Sequence, residues 1–322
     1  MGPAVSVIVP CFNGAQYLTE AVDSVLAQTF TDLECIIVDD GSTDNTRQVS
    51  ESLMSRDSRV RYLFKEHSGL YPTRNFAIRH SEGEWIQFLD ADDWLHKDKI
   101  GFQLGHLNGV GCGDDVVFYS DYEIVHQDDD GNVVERVPHI VGKLSNEQLL
   151  DRTTTRYLKG TSAPLHINST LFKRTVFRRK MFDESFEAYG DQEFLVDLLL
   201  KDILFVYTPI FGMYYRRHRS NMSRDVPLIR DAYVQYLEAI YKKDRSLLRR
   251  NPNVPKLVQA AFMQKDRDKF NRLIRLIDLE QMPVGLPDGR IKIRSKFILR
   301  LAFGARLLVP ISIQRAVRRL SS

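Results

Sequence analysis

Three carboxylates within four residues, Asp90, Asp92 and Asp93, follow the short apolar run Trp85-Ile86-Gln87-Phe88-Leu89. Such a run reads as a strand buried on both faces, as in the middle of an α/β sheet. Gathering like charges at the end of a core strand is costly unless a cation joins them. A hard divalent ion, Mn2+ or Mg2+, held by one or two carboxylates and completed by phosphate oxygens, answers that need. A solvated acidic turn capping the next helix is the plainer alternative, and it suits one Asp better than three. Because α/β proteins place ligands at the carboxyl ends of their strands, a metal–diphosphate site is the expectation.

The elements that must position these acids follow from hydrophobic periodicity. Val5–Val9 is a strand ending in Pro10-Cys11-Phe12-Asn13, and Leu33–Val38 is a second ending in Asp39-Asp40-Gly41-Ser42. Leu18, Ala21, Val22, Val25 and Leu26 recur at helical spacing between them. Val60–Phe64 is a third strand, Gly69 leads into a helix carrying Arg74-Asn75, and Glu84–Leu89 is the fourth strand. A helix near 97–108 and a strand at Val116–Ser120 complete the alternation, which predicts a mostly parallel sheet with right-handed crossovers. In that sheet the ends of the first, second and fourth strands converge on one edge.

Beyond residue 120 the pattern changes. Tyr122–His126 and Asn132–Val137 flank Asp128-Asp129-Asp130-Gly131, an antiparallel hairpin with a polar turn. The glycine there is misplaced for a calcium loop and no Glu closes it. A short helix and loop occupy 145–160, with a Thr-rich patch at 153–155; His166–Phe172 is a strand, and a helix begins at Asp191. Strands at Leu204–Tyr207 and Phe211–Tyr215 run into Arg216-Arg217-His218. From Pro227 the chain is amphipathic and helical, broken at 251–253 and 283–289.

This set of motifs resembles the family 2 glycosyltransferases of the GT-A fold, which transfer a sugar from a nucleotide diphosphate with inversion. The matching stretches are VSVIVPCFNG at 5–14, VDDGSTD at 38–44, RN at 74–75, GEWIQFLDADDW at 83–94, GD at 190–191 and YRRH at 215–218. The resemblance covers residues 4–223 and implies an α/β fold, a mixed, mostly parallel sheet flanked by helices, followed by a C-terminal α-helical appendage. It divides the chain into a catalytic domain at 1–225, with a nucleotide-sugar half (1–120) and an acceptor half (121–225), and a helical region at 226–322.

The resemblance also implies roles. Pro10, Phe12 and Asn13 wall a nucleobase pocket; Asp39 hydrogen-bonds the base, usually uracil, and Asp40 supports its loop. Arg74 contacts base or diphosphate. Asp92 is a direct metal ligand and Asp90 a metal or ribose contact, while Arg216 and His218 close over metal and diphosphate. Asp191 is the catalytic base. Two departures stand out: Pro72-Thr73 before Arg74, where the family often has a small residue, and Gly190, where it commonly has Glu.

The chemistry independently asks for these residue types. An attacking hydroxyl loses its proton as the new bond forms, and a carboxylate can take it. A departing diphosphate gathers charge that a divalent cation, Arg and neutral His stabilise. Asp191 reads equally well as a helix cap; for Arg216 and His218 a basic surface turn is the plainer alternative, and the functional reading is favoured because a strand delivers them. Tyr157, His166, Asn168 and Tyr189 are candidates to line a carbohydrate or lipid-linked acceptor pocket or to be satisfied structural residues.

Composition sets the remaining bounds. The chain has 322 residues and net charge +3, but residues 290–322 hold nine Lys/Arg and no acid. The tail at 290–320 reads either as an interfacial helix on an anionic membrane or as a packed appendage with solvated cations. No recognisable nucleic-acid fold accompanies that charge. Cys11, Cys35 and Cys112 form no C-x-x-C pair, which predicts neither disulfide nor zinc site and fits a reducing cytosol. The first strand begins within five residues, which predicts no signal peptide, and no apolar run is long enough to span a membrane. The expected location is cytoplasmic, or peripheral on the inner face of the cell membrane.

Three rivals fit less well. A phosphoacceptor module would carry its acid pair after the first strand. A nucleotidyltransferase would place a Gly-rich basic loop there. A non-catalytic sugar-nucleotide binder of the same fold remains the alternative that Gly190 suggests.

Overall fold

Every residue of Val5–Cys11 (β1) is buried, as an unbroken β-branched run between two layers requires. The computed structural model describes residues 2–109, 115–155, 164–201, 203–219, 221–222, 225–248, 251, 253–264, 266–276, 284–285 and 292–293. In chain order, β1 is followed by α1 (Ala15–Leu26), β2 (Leu33–Asp39), α2 (Thr46–Arg56), β3 (Val60–Phe64), α3 (Leu70–His80), β4 (Trp85–Phe88) and β5 (Trp94–Leu95). Next come α4 (Lys99–Gly105), β6 (Val116–Gln127), β7 (Val133–His139), α5 (Asn146–Thr155), β8 (Thr170–Lys173), α6 (Val176–Arg179), α7 (Gly190–Leu200) and β9 (Leu204–Arg217). The helices α8 (Val226–Lys243), α9 (Asn253–Gln264) and α10 (Arg267–Leu276) follow, then a short antiparallel pair, β10 (Val284–Gly285) and β11 (Lys292–Ile293).

The main sheet runs β3-β2-β1-β4-β8-β6-β9-β5, with β7 added to β6. Strands β3, β2, β1 and β4 are mutually parallel, so Cys11, Asp39 and the Asp90 turn leave the sheet at one edge, as expected. Strand β8 pairs antiparallel with both β4 and β6, and β6 pairs in parallel with β9. The sheet is therefore mixed, with its parallel character concentrated in the N-terminal half.

Four details differ from the sequence expectation. The strands expected at 116–120 and 122–126 are one strand, β6, and those at 204–207 and 211–215 are one strand, β9. The pairing slips between Thr208 and Phe211, where Pro209 has no N–H to offer; the ladder bulges there and resumes. Residues 167–169 form a 3-10 turn, and β8 starts only at Thr170. There the Ser169 and Thr170 hydroxyls donate to the carbonyls of His166 and Ile167, an alternative to strand pairing. In the tail, Lys292–Ile293 is a strand where a helix is expected; residues 294–320 of that helix lie outside the described residues, as do Cys112 and Tyr157.

By contacts the chain forms two compact units, the second comprising chiefly Tyr233 onward, so the division falls inside α8. In the second unit Arg272 binds Glu238 through two nitrogens, at 2.9 and 2.7 Å. Among the described residues no helix is long and apolar enough to cross a membrane. In the first unit, Phe88, Phe172, Phe177, Phe182 and Phe194 form an aromatic cluster behind β4, with ring centroids 4.4–5.9 Å apart in the closest pairs. That cluster is the floor on which Arg74 rests.

Candidate active site at the carboxyl edge of the sheet

The loops after β1 and β2 are stapled together. Asn13 adopts a left-handed backbone (φ 52°). Its side-chain oxygen accepts the Thr43 N–H at 2.8 Å, and its own N–H donates to the Ser42 hydroxyl at 2.9 Å. Asp39 is buried, accepting the Ser42 N–H and the Tyr62 hydroxyl, each at 2.8 Å. Pro10 is buried within β1, whereas Phe12 is half exposed and stacks on His67 with centroids 4.2 Å apart. Phe12, Asn13 and Asp39 thus share one end of the edge.

Asp40 turns the other way. It pairs with Lys65 and accepts the N–H groups of Ser68 (3.0 Å) and Gly69 (2.8 Å), which fixes the entry to α3. Burial raises its pKa, but the hydrogen bonds from Lys65, Thr73, Gly69 and Ser68 outweigh that and hold it below the ordinary carboxylate range. Pro72 sits in the first turn of α3, where its missing N–H removes no helical bond, and the Thr73 hydroxyl donates to the Gly69 carbonyl at 2.8 Å.

Arg74 is buried, with its guanidinium 5.4–5.9 Å from the ring centres of Tyr71, Phe88 and Phe182. Nη2 donates to Asp90 Oδ1 at 2.6 Å, while Nε and Nη1 meet no partner. At Asp90, burial acts to raise the pKa, but the charges of Arg74 and His166 and hydrogen bonds from Arg74 and Asn168 hold it low. Asn75 anchors the segment before α7: its amide donates to the Phe182 carbonyl and Glu184 carboxylate and accepts the Phe182 N–H.

The three acids of the opening motif have different surroundings. Asp93 is fully buried between the Arg216 N–H and the Asn168 amide, both at 2.9 Å. Burial, then repulsion from Asp92 and Asp90, pushes its pKa well above the usual range. Asp90 and Asp92 each keep 30% of their side chains exposed. Asp92 Oδ2 lies 3.0 Å from His218 Nε2 and accepts the Asn221 amide at 3.1 Å.

Arg216 is a brace for this turn. It donates from Nε to the Asp92 carbonyl (2.7 Å), from Nη1 to Gln127 (2.7 Å) and from Nη2 to Glu20. Its flat faces lie 4.9 and 4.7 Å from the ring centres of Tyr17 and Trp94. Asn221 locks the other side, accepting the His218 N–H at 2.6 Å and donating to the Arg216 carbonyl at 3.1 Å.

Among the described residues no three His, Cys, Asp or Glu side chains form a ready metal cluster. Asp92 and His218 nevertheless suit one. Two ligands each about 2.1 Å from an octahedral ion, at right angles, lie about 3 Å apart, the spacing found here. An Mg2+-type ion needs only one or two protein ligands when phosphates complete its shell.

Asp191 lies in the first turn of α7, behind Tyr189 in the left-handed region (φ 63°). Its Oδ1 is 3.4 Å from the Tyr71 hydroxyl, which also accepts the Gly190 N–H at 2.8 Å. Tyr71 supports Arg74, and Arg74 holds Asp90, so one chain of contacts joins Asp191 to the acidic turn. His166 packs between Tyr122 and Tyr215, and Asn168 serves Asp93. The sequence reading missed Tyr17, Tyr62, Tyr71 and Asn221. Of these only Asn221 left a signal, three residues beyond His218 in the same turn.

Residues 6–186 match the sequence model described as Glycosyl transferase family 2. An uncharacterized glycosyltransferase of Rickettsia typhi is 38% identical over 125 residues, 39% of this chain and 38% of the relative, so the chain aligns with well under half of that protein. Staphylococcus aureus TarS residues 1–349 with UDP-GlcNAc superposes with a TM-score of 0.59 at 18% identity, covering 88% of this chain and 82% of TarS. A Pyrobaculum calidifontis mannosyltransferase with GDP-Man and Mn2+ gives 0.54 at 16% identity, over 98% and 83% of the two chains. These structures share the GT-A fold with this one.

Proposed function

The chain belongs to glycosyl transferase family 2, and on that premise we propose that it moves a sugar from a nucleotide diphosphate, a UDP-sugar, to an acceptor hydroxyl with inversion. The observation that carries the reading is the continuity of the site. Asp39, Asp90 and Asp92 leave parallel strands at one edge, and Tyr71 and Arg74 connect Asp191 to that edge. A nucleotide-sugar donor is supported by UDP-GlcNAc in TarS and GDP-Man in the mannosyltransferase. The Asp39 loop, expected to meet uracil, favours UDP.

The steps assigned to this chain's residues are few. Phe12 and Asn13 flank the base, and Asp39 hydrogen-bonds it. Arg74 fixes Asp90 toward the ribose or diphosphate. Asp92 and His218 would hold a Mn2+ or Mg2+ ion, which would supply positive charge to offset that gathering on the leaving diphosphate. Arg216 and Asn221 keep that pair in register. Asp191 accepts the proton of the acceptor hydroxyl as its oxygen bonds to the anomeric carbon and the bond from that carbon to the diphosphate breaks. One displacement with one base inverts the centre, and such a base contributes roughly 10²–10⁴-fold.

The acceptor is a carbohydrate or lipid-linked hydroxyl of cell-surface polysaccharide or glycolipid assembly. Residues 290–320 bring the enzyme to the inner membrane face by their mixed basic and apolar side chains. Vesicles with anionic lipid should co-sediment the full chain, and neutral vesicles should not.

The donor test is a thermal-shift screen of UDP- and GDP-sugars with and without Mn2+, followed by nucleotide release. Stabilisation by a UDP-sugar that needs the metal, and is lost in Asp92→Asn, is expected. Equal stabilisation of Asp92→Asn and the parent would overturn the metal assignment.

A further inference from the structure

We propose that Tyr71 is the positioning residue for Asp191, occupying the space that glycine at 190 leaves open. The inference rests on the reading of Asp191 as the base. A Cβ built at 190 would lie 2.7 Å from both Cε2 and Cζ of the Tyr71 ring, closer than any side chain tolerates. Glycine at 190 and tyrosine at 71 are therefore a matched pair: a side chain at 190 would evict the ring. This gives a physical reason for the residue that departs from the expected acidic pair.

The hydroxyl then does two things. It accepts the Gly190 N–H at 2.8 Å, and it donates toward Asp191 Oδ1 at 3.4 Å. The first N–H groups of a helix have no partner inside it. A nearby Asp ordinarily swings back to take one of them. With the phenol oxygen on Gly190, Asp191 is spared that task, and the phenol proton fixes Oδ1 so that Oδ2 takes the acceptor proton. Burial, and then the charge of Asp191, keep the phenol well above its ordinary pKa, so it remains a donor. The same ring lies 5.9 Å from the Arg74 guanidinium, and Arg74 binds Asp90 at 2.6 Å. Tyr71 thereby sets the base relative to the acids that meet the donor.

The test uses the full chain with Mn2+ and the nucleotide sugar that the screen above selects, with water as acceptor and nucleotide release as readout. Tyr71→Phe keeps the ring and removes the hydroxyl; kcat should fall ~10-fold with donor KM changed less than about twofold. Asp191→Asn should fall at least about 100-fold. The double variant should be no slower than Asp191→Asn alone, because Tyr71 acts through Asp191. Gly190→Ala, which pushes the ring without removing its hydroxyl, should also lose kcat and provides the second measurement if Tyr71→Phe folds poorly. Parental kcat in Tyr71→Phe or Gly190→Ala, or a Tyr71→Phe loss that multiplies in full onto Asp191→Asn, would overturn the proposal. Parental turnover in Asp191→Asn would instead remove the base assignment beneath it, so the two failures are distinguishable.

Discussion

Asn221→Ala probes whether the turn after β9 tunes the proposed metal pair, Asp92 and His218, or merely closes the chain. The substitution removes three hydrogen bonds: to Asp92 Oδ2 (3.1 Å), to the Arg216 carbonyl (3.1 Å) and from the His218 N–H (2.6 Å). Two of the groups left behind, the His218 N–H and the Arg216 carbonyl, belong to buried residues. Each unsatisfied buried group costs about 1–3 kcal/mol. The vacated amide volume admits a water, so the lower end applies and the sum is about 2 kcal/mol. For a domain of this size that lowers the melting temperature by roughly 4–8 °C. Metal affinity should fall more steeply. Groups that orient a metal ligand change affinity by about 10–100-fold when removed. Calorimetric titration of UDP into the protein across a Mn2+ series reads this directly, with melting followed in parallel. Asn221→Asp supplies the control: it retains an acceptor for the His218 N–H but places a second charge beside Asp92. The repulsion is on the order of 5 kcal/mol at an effective dielectric of about 20, so this variant should be less stable without metal and gain more than the parent when Mn2+ is added. A Mn2+ midpoint unchanged within twofold in Asn221→Ala, alongside the expected drop in melting temperature, would refute the tuning argument.

The acids of the edge should separate by phenotype. Asp90→Ala strands the buried Arg74 guanidinium, which already has two unpartnered nitrogens, and should destabilise by about 3 kcal/mol or more in urea unfolding. Asp92→Asn should leave urea stability within about 1 kcal/mol and remove metal-dependent UDP binding. Asp40 has a lowered folded pKa, so its contribution to stability is present above about pH 4 and is lost as pH falls below that. Lys65→Met should move the acid-unfolding midpoint to higher pH. Burial pushes the thiols of Cys11 and Cys35 up to about 12, so neither should alkylate with iodoacetamide at pH 8 until the protein is unfolded, as peptide mass spectrometry would show.

What the sequence disclosed tracks the range of the forces involved. Strand ends were legible because β-branched runs and the acids that terminate them are local. The same holds for Leu18, Ala21, Val22 and Val25, whose spacing specifies one face of α1, and all four are buried. Asp128 behaves likewise: its carboxylate takes the N–H groups of Asp130 and Asn132, a turn written in adjacent residues. Continuity of β6 and β9 was less legible, because Pro209 signals a break whereas pairing along the rest of the strand carries the chain through it. Partners set by tertiary approach were not legible at all. Nothing near Arg216 in the chain announces Glu20 or Gln127, and nothing near Asp39 announces Tyr62.

The adjacency of the three acids conceals their most consequential difference. Asp93 sits at zero exposure between the Arg216 N–H and the Asn168 amide, while Asp90 and Asp92 keep part of their surface open. Residues 90–93 form a turn closed by the Asp93 N–H on the Asp90 carbonyl at 3.0 Å, and Asp93 lies buried just before β5. That inward acid ties the 90–95 turn to β9, and β9 is the strand that delivers His218 to Asp92. The expectation of a shared cation is therefore confined to the outer pair, whose side chains keep 30% of their surface exposed. The inner one is stabilised by protein donors instead and serves as the fastener that makes the outer geometry reproducible. The DxDD stretch is thus better read as two partly exposed acids and one buried anchor than as three equivalent acids. The strand bearing the histidine and the strand bearing the acids are then expected to move together under any perturbation of Asp93.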